Sequence, residues 1–192
     1  MYAFAADFTS NMVVRADLDA DGTGVGGAIS MAAAGTAHRI SGVVSTDEPA
    51  TDLVFGGSML VPSDLGEACV WIAEFGPTGG TWMKRYDVEP YIGALQFEEM
   101  WAMRPLSDGN FVCGGYATDV PPGGWHGFLM KVTPSGDVLW ARTLEDPINQ
   151  RFVVRDLAEL PDGRLLVTGD NSDSADVSST IVSALTPTGE VL

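Results

Sequence analysis

Three aspartates at alternate positions, Asp17, Asp19 and Asp21, precede a glycine in the stretch DLDADG. An EF-hand calcium loop begins in this way, because alternate carboxylates converge on a cation and the glycine permits a sharp turn. The later positions do not fit. Counting from Asp17, position 12 is Ala28, where the loop needs a bidentate glutamate. The spacing therefore favours a turn over a metal site.

The overlapping GTGVGG, residues 22–27, matches the dinucleotide pattern G-x-G-x-x-G. That pattern binds a pyrophosphate only where a long helix follows, because the helix N-terminus receives the phosphates. Only AISMAAA follows before Gly35, which is too short for such a helix. We therefore predict an outer β-strand here and no dinucleotide site.

A repeat explains both stretches. The segments VWIAEFGPTGGTWMKRY, GFLMKVTPSGDVLWART and TIVSALTPTGEVL each contain an apolar run, a Pro-Ser/Thr-Gly turn and a second run. Their turn glycines Gly79, Gly136 and Gly189 lie 57 and 53 residues apart, and Gly22 lies 57 residues before Gly79. A repeat of this length indicates recurring supersecondary units. DLDADG is thus interpreted as the hairpin turn of an earlier copy.

A second signature has the same period. PLSDGNFVCGGY matches ELPDGRLLVTGD, with Gly109 and Gly163 lying 54 residues apart, and Asp-Gly between apolar runs predicts a hairpin whose glycine has positive φ. Each period then holds four short strands, A to D. In the second complete copy they start at Met100, Asn110, Gly127 and Asp137. Alternation in strand D predicts that Val138, Trp140 and Arg142 share one face.

These motifs resemble the β-propeller repeats of secreted and surface-associated bacterial proteins. The resemblance implies an all-β fold, an incomplete propeller of about three to four four-stranded antiparallel blades. We expect one propeller fragment over residues 1–192: a partial blade at 1–31, blades at 37–87 and 98–144, and a blade at 153–192 lacking most of its last strand. Because open sheet edges invite pairing, we expect the ring to be completed by further blades of a longer chain or by another copy.

The B–C and D–A connections of such blades are long and divergent here, whereas the A–B and C–D turns are short. Binding usually uses long loops on a rigid scaffold, so we predict that any site lies on the long-loop face. Carboxylates and aromatic rings there suit a cation or a carbohydrate, and the alternative is a set of solvated loops kept soluble by charge. The candidate residues of this face are Asp64, Glu67, Tyr91, Asp119, Trp125, His126, Asp170, Asp173 and Asp176.

Charge narrows the partners. The net charge is −16, with 10 Lys+Arg against 26 Asp+Glu, so neither a nucleic acid nor an anionic membrane surface is an expected partner. Cys69 and Cys113 lie in apolar runs, which predicts two buried small side chains with no disulfide or metal role. The N-terminal MYAFAADFTS lacks the features of a signal peptide. The resemblance implies an extracellular, periplasmic or cell-surface location, with a leader outside this chain; otherwise the protein is cytosolic.

Three functions remain open at this point. The first is a non-catalytic module that binds a protein or a carbohydrate through the long-loop face, with no cofactor and no catalytic residue assigned. The second is part of a quinoprotein-like or hydrolase-like propeller enzyme whose site is completed by missing blades. Neither G-x-S-x-G nor H-E-x-x-H occurs in the chain, which weakens this alternative. The third is a structural spacer. Trp82 and Trp140 share one repeat position, which predicts packing between blades and not cofactor stacking.

Overall fold

The computed structural model describes residues 2–7, 12–17, 29–32, 36–45, 53–60, 68–76, 79–87, 95–119, 124–144, 152–172 and 178–192. These residues form fourteen β-strands and contain no helix, so the all-β prediction is confirmed. The strands are β1 (Tyr2–Asp7), β2 (Met12–Asp17), β3 (Ile29–Ala32), β4 (Thr36–Ser45), β5 (Leu53–Leu60), β6 (Ala68–Gly76), β7 (Gly79–Tyr86), β8 (Leu95–Pro105), β9 (Phe111–Asp119), β10 (Trp125–Val132), β11 (Val138–Leu144), β12 (Phe152–Glu159), β13 (Leu165–Ser172) and β14 (Ser178–Leu185).

The strands form four antiparallel units in chain order. Unit 1 is β1-β2-β3, unit 2 is β4-β5-β6-β7, unit 3 is β8-β9-β10-β11, and unit 4 is β12-β13-β14. Units 2 and 3 are joined into one eight-stranded sheet by a single parallel pairing, Ala68 with Phe97. In unit 4 an isolated bridge adds Val191 beside Leu185. Within each unit every strand pairs with its neighbour in sequence, which is the pattern that short hairpins produce.

The two motifs that open the chain end in strands. β2 closes with Asp17, and its antiparallel partner β3 begins at Ile29. The stretch DLDADG beyond Asp17 and the whole of GTGVGG lie outside the described residues. The strand at Ile29–Ala32 confirms that no helix follows the glycine pattern directly, and β3 pairs with β2 at the edge of its sheet.

Successive units pack face to face through two apolar cores. The core between units 2 and 3 contains Val54, Val70, Ile72, Tyr86, Met100, Met103, Phe111, Cys113, Ala117, Phe128, Met130, Val132 and Ala141. The core between units 3 and 4 contains Ala102, Leu106, Val112, Leu129, Leu144, Phe152, Val154, Leu157, Leu165, Val167 and Leu185. Neighbours such as Val112 and Cys113 enter opposite cores, because successive side chains of a strand point to opposite faces. Unit 3 is therefore buried on both faces, which explains its continuous apolar runs.

Four turns of units 3 and 4 have the same backbone geometry. Gly109, Gly136, Gly163 and Gly189 have φ between 76° and 83°, which the Asp-Gly pattern predicts for Gly109 and Gly163. In each turn the glycine N–H donates to the carbonyl three residues earlier, at 2.9–3.0 Å. That combination is a type I turn followed by a left-handed residue, a common three-residue hairpin connection. The glycine is required there because its φ is strained for any residue with a Cβ.

The outer strand β11 departs from simple alternation. Val132 pairs with Val138 but Lys131 pairs with Trp140, so Leu139 is an extra residue in the ladder. Val138 consequently packs on the core between units 2 and 3, whereas Trp140 packs on the core between units 3 and 4. The prediction that these two side chains share a face is wrong, because a β-bulge resets the alternation. Leu139 itself is 52% exposed.

Candidate functional site

A row of aromatic side chains runs from the middle of unit 3 to the end that carries the long connections. Trp125 and Tyr116 are stacked, with ring centroids 5.0 Å apart and planes 21° apart. Tyr116 meets the edge of Trp101 at 6.0 Å and 75°. We call Trp101, Tyr116 and Trp125 the aromatic row. It begins on β8, crosses β9 and ends at the first residue of β10, where the Trp125 side chain is 43% exposed.

The row continues into unit 4 through an arginine. The Arg155 guanidinium lies 3.8 Å from the centre of the Trp101 ring, which is a close cation–π contact. Arg155 Nε also donates to the Asp170 carboxylate on the neighbouring strand β13. On the other side, the Trp101 indole N–H donates to Glu99 Oε2 at 2.7 Å. Side chains of two adjacent units thus form one continuous polar and aromatic surface.

Two β-bulges place Trp101 and Arg155. Met100 pairs with Gly115 and Ala102 with Gly114, so Trp101 is the extra residue of β8. By the same shift Arg155 is the extra residue of β12, and Ser41 occupies the corresponding position of β4. A bulged residue leaves the ladder, which re-aims its side chain. The first strand of each of these units therefore presents one redirected side chain at an equivalent position.

The glycine opposite the bulge is a consequence of the same geometry. A Cβ at Gly115 would lie 1.7 Å from the Glu99 carbonyl oxygen, and a Cβ at Gly169 would lie 2.5 Å from the Val153 carbonyl oxygen. Because real Cβ atoms do not approach a carbonyl so closely, only glycine allows the bulged strand to come this near. Gly115, in the middle of β9, thereby supports the position of Trp101.

The predicted site residues divide into three groups. Trp125 and His126 begin β10, and Asp170 lies near the end of β13. Trp125 belongs to the aromatic row, and His126, the next residue, is half-buried. Asp119 ends β9, opposite Leu95, and its side chain lies outside the described residues. Asp64, Glu67, Tyr91, Asp173 and Asp176 lie outside the described residues altogether.

Sequence reasoning missed four residues of the surface: Glu99, Trp101, Tyr116 and Arg155. Trp101 and Arg155 lie inside the first strands of their units and not in a long connection. The direction of each side chain depends on a β-bulge. One signal was available. The alignment of PLSDGNFVCGGY with ELPDGRLLVTGD places Tyr116 opposite Asp170, so the repeat changes chemistry at that position.

The predicted burial of the two cysteines is confirmed. Cys69 and Cys113 are both buried, and neither forms a disulfide. Burial raises the pKa of Cys113 to about 12, and its thiol donates to the Met130 carbonyl at 3.5 Å. A nucleophilic cysteine needs a low pKa and access to solvent. Cys113 is therefore an inert part of the core.

The described residues contain neither a candidate metal site nor a candidate membrane-spanning helix. Within those residues no three side chains of His, Cys, Asp or Glu are grouped so that they could hold a metal ion. The described strands and turns also include no helix of the length and hydrophobicity needed to cross a membrane. No protein-family model matches this chain, and no curated protein matches it.

Proposed function

We propose that this chain is a non-catalytic β-propeller module that binds a protein or carbohydrate ligand at the long-loop end of units 3 and 4. The proposal of a propeller is supported by the face-to-face packing of four-stranded antiparallel units and by inner strands that carry equivalent bulges. In a propeller, blades pack radially about a central axis with one strand of each blade innermost. An experimental structure in which β4, β8 and β12 do not surround one axis would contradict this part.

The observation that carries the proposed binding function is the aromatic row together with Arg155. Aromatic side chains bury large areas in most proteins, yet Trp125 remains 43% exposed at the end of a supported stack. Exposed tryptophan, tyrosine and arginine are the residue types that contribute most to binding surfaces. The surface also joins two units, and a junction between packed elements is a common place for ligands.

The matched variants are Trp125→Ala and Leu139→Ala. Both remove a large exposed apolar side chain from unit 3, but Leu139 lies on the outer strand, away from the aromatic row. The intact chain and both variants are applied to arrays of carbohydrates and of peptides. We expect probes that bind the intact chain and the Leu139→Ala variant but not the Trp125→Ala variant. If no probe binds, or if Trp125→Ala changes nothing, the surface is not a binding site and the structural-spacer alternative gains.

A further inference from the structure

Trp125 is the most exposed member of the aromatic row. Tyr116 covers one side of the Trp125 ring, so a ligand meets the opposite side and the ring edge. Because the ring is held from behind and has few rotamers, little conformational entropy is lost when a ligand stacks on it. The ligand must therefore offer a flat surface that tolerates contact with an aromatic face.

The charges of the surface disfavour an anionic ligand. Arg155 already donates to Asp170 and lies over Trp101, so an anion would have to compete for a neutralised cation. Glu99 adds a carboxylate, and the whole chain carries a net charge of −16. Like charges at short range oppose binding, and the field of the protein extends the repulsion.

The geometry also disfavours a quaternary ammonium ligand. An aromatic cage needs several ring faces turned toward one point, so that they surround the cation. Tyr116 and Trp125 are instead nearly parallel and in contact, and a face of Trp101 is covered by Arg155 at 3.8 Å. The chain's own guanidinium therefore fills the cation position that this surface offers.

A proline-rich peptide fits less well than a ring. Grooves that bind polyproline II helices are formed between separated aromatic side chains, into which the prolines insert. Stacking of Tyr116 on Trp125 at 5.0 Å leaves no slot between these two rings. A ligand that lies flat on the outer face of Trp125 matches the structure better than one that inserts.

We infer that the ligand is a neutral carbohydrate, one of whose sugar rings stacks on the exposed side of Trp125. This inference rests on the proposed binding function. A pyranose presents polarised C–H groups on one face, which suit the negative face of an aromatic ring. Its hydroxyl groups both donate and accept, so a chain of several sugars can extend along the aromatic row toward Arg155, Asp170 and Glu99, which lie around Trp101.

The test is a calorimetric titration of the full chain with neutral oligosaccharides of glucose, mannose, galactose and N-acetylglucosamine. Two further probes, choline and a proline-rich peptide, represent the rejected ligand classes. We expect binding of at least one neutral oligosaccharide, weakened at least about tenfold in Trp125→Ala and changed less than about twofold in Leu139→Ala. Trp125→Phe keeps an aromatic face and should retain part of the affinity. Circular dichroism of each variant excludes unfolding as the cause.

The outcomes separate the two proposals. Binding of choline or the peptide, sensitive to Trp125→Ala and without any oligosaccharide binding, overturns the carbohydrate inference but leaves the binding function standing. Oligosaccharide binding that is unaffected by Trp125→Ala overturns the stacking geometry. Failure of every probe here and on the arrays overturns both proposals. Loss of oligosaccharide binding in Trp125→Ala alone, with Leu139→Ala unchanged, supports both.

Discussion

The two ends of units 3 and 4 are built on different principles. At the short-turn end the same backbone hydrogen bonds recur in four turns. Single polar contacts join neighbouring units there: Lys84 pairs with Asp137 at 2.9 Å, and Ser107 donates to Glu159. From the middle of the units to the long-loop end, equivalent backbone positions carry different chemistry, such as Trp101 in β8 and Arg155 in β12. The recurring end forms the scaffold. The part that varies carries the proposed binding surface.

The largest expected effect tests how strongly the scaffold determines the site. Gly115→Ala forces a Cβ against the Glu99 carbonyl oxygen, and we expect the free energy of unfolding to fall by about 3 kcal/mol or more. Gly109→Ala is the control from the short-turn end. Its glycine has positive φ but no atom within 4 Å of the added Cβ, so we expect a loss of only about 1 kcal/mol. Urea denaturation measures both, and equal losses would contradict the bulge geometry.

The second prediction compares two tryptophans of the same unit. The Trp140 ring packs on the core between units 3 and 4 and lies 2.8 Å from the position of a Cβ on Gly189. Because this ring is half-buried, we expect Trp140→Ala to lower the free energy of unfolding by about 2–3 kcal/mol, at or below the low end for a core aromatic. Trp125→Ala removes a more exposed ring and should cost less than about 1 kcal/mol. A reversed order in urea denaturation would show that Trp125 is the better packed ring and would contradict its place on an exposed surface.

The smallest effect concerns pH at the short-turn end. Hydrogen bonds from Lys84 and then Ser135 hold the pKa of Asp137 below its usual range. A carboxyl with a depressed folded-state pKa stabilises the protein above its unfolded pKa of about 3.9, and the contribution is lost as pH falls through the folded pKa. We expect the difference in Tm between the intact chain and Asp137→Asn to be constant from pH 5 to 7 and to shrink below about pH 4. A difference that grows in acid would contradict the assignment.

The scaffold was accessible from sequence because its determinants are local. Asp-Gly and Pro-Ser-Gly motifs indicate where the chain reverses. The positive φ of Gly109 and Gly136 follows from the type of turn. The spacing of Trp82 and Trp140 predicted packing between units, and both rings pack on the cores. None of these inferences required knowledge of which strands meet at a distance.

The site was accessible only in part, because it depends on strand register. Trp125 and Asp170 were found from their position next to long connections. Trp101 and Arg155 were missed because each is the extra residue at a β-bulge. A one-residue shift in register reverses the face on which a side chain lies. The same cause made the predicted face of Val138 wrong. The bulges at Trp101 and Arg155 leave one local mark in the sequence, the glycine that faces each of them, whereas the bulge at Leu139 faces Lys131 and Val132 and leaves none.

Trp82 belongs to unit 2 by chain position, yet its ring lies 2.9 Å from where Gly136 of unit 3 would carry a Cβ, and Tyr86 donates to the Gly136 carbonyl at 2.8 Å. Trp140 repeats this contact on Gly189 of unit 4. The outer strands of units 2 and 3 thus each pack against a turn of the unit that follows. Under mechanical pulling or proteolysis, each outer strand should consequently be released together with the turn of the next unit on which it packs. The released segments should therefore not end at the hairpin boundaries.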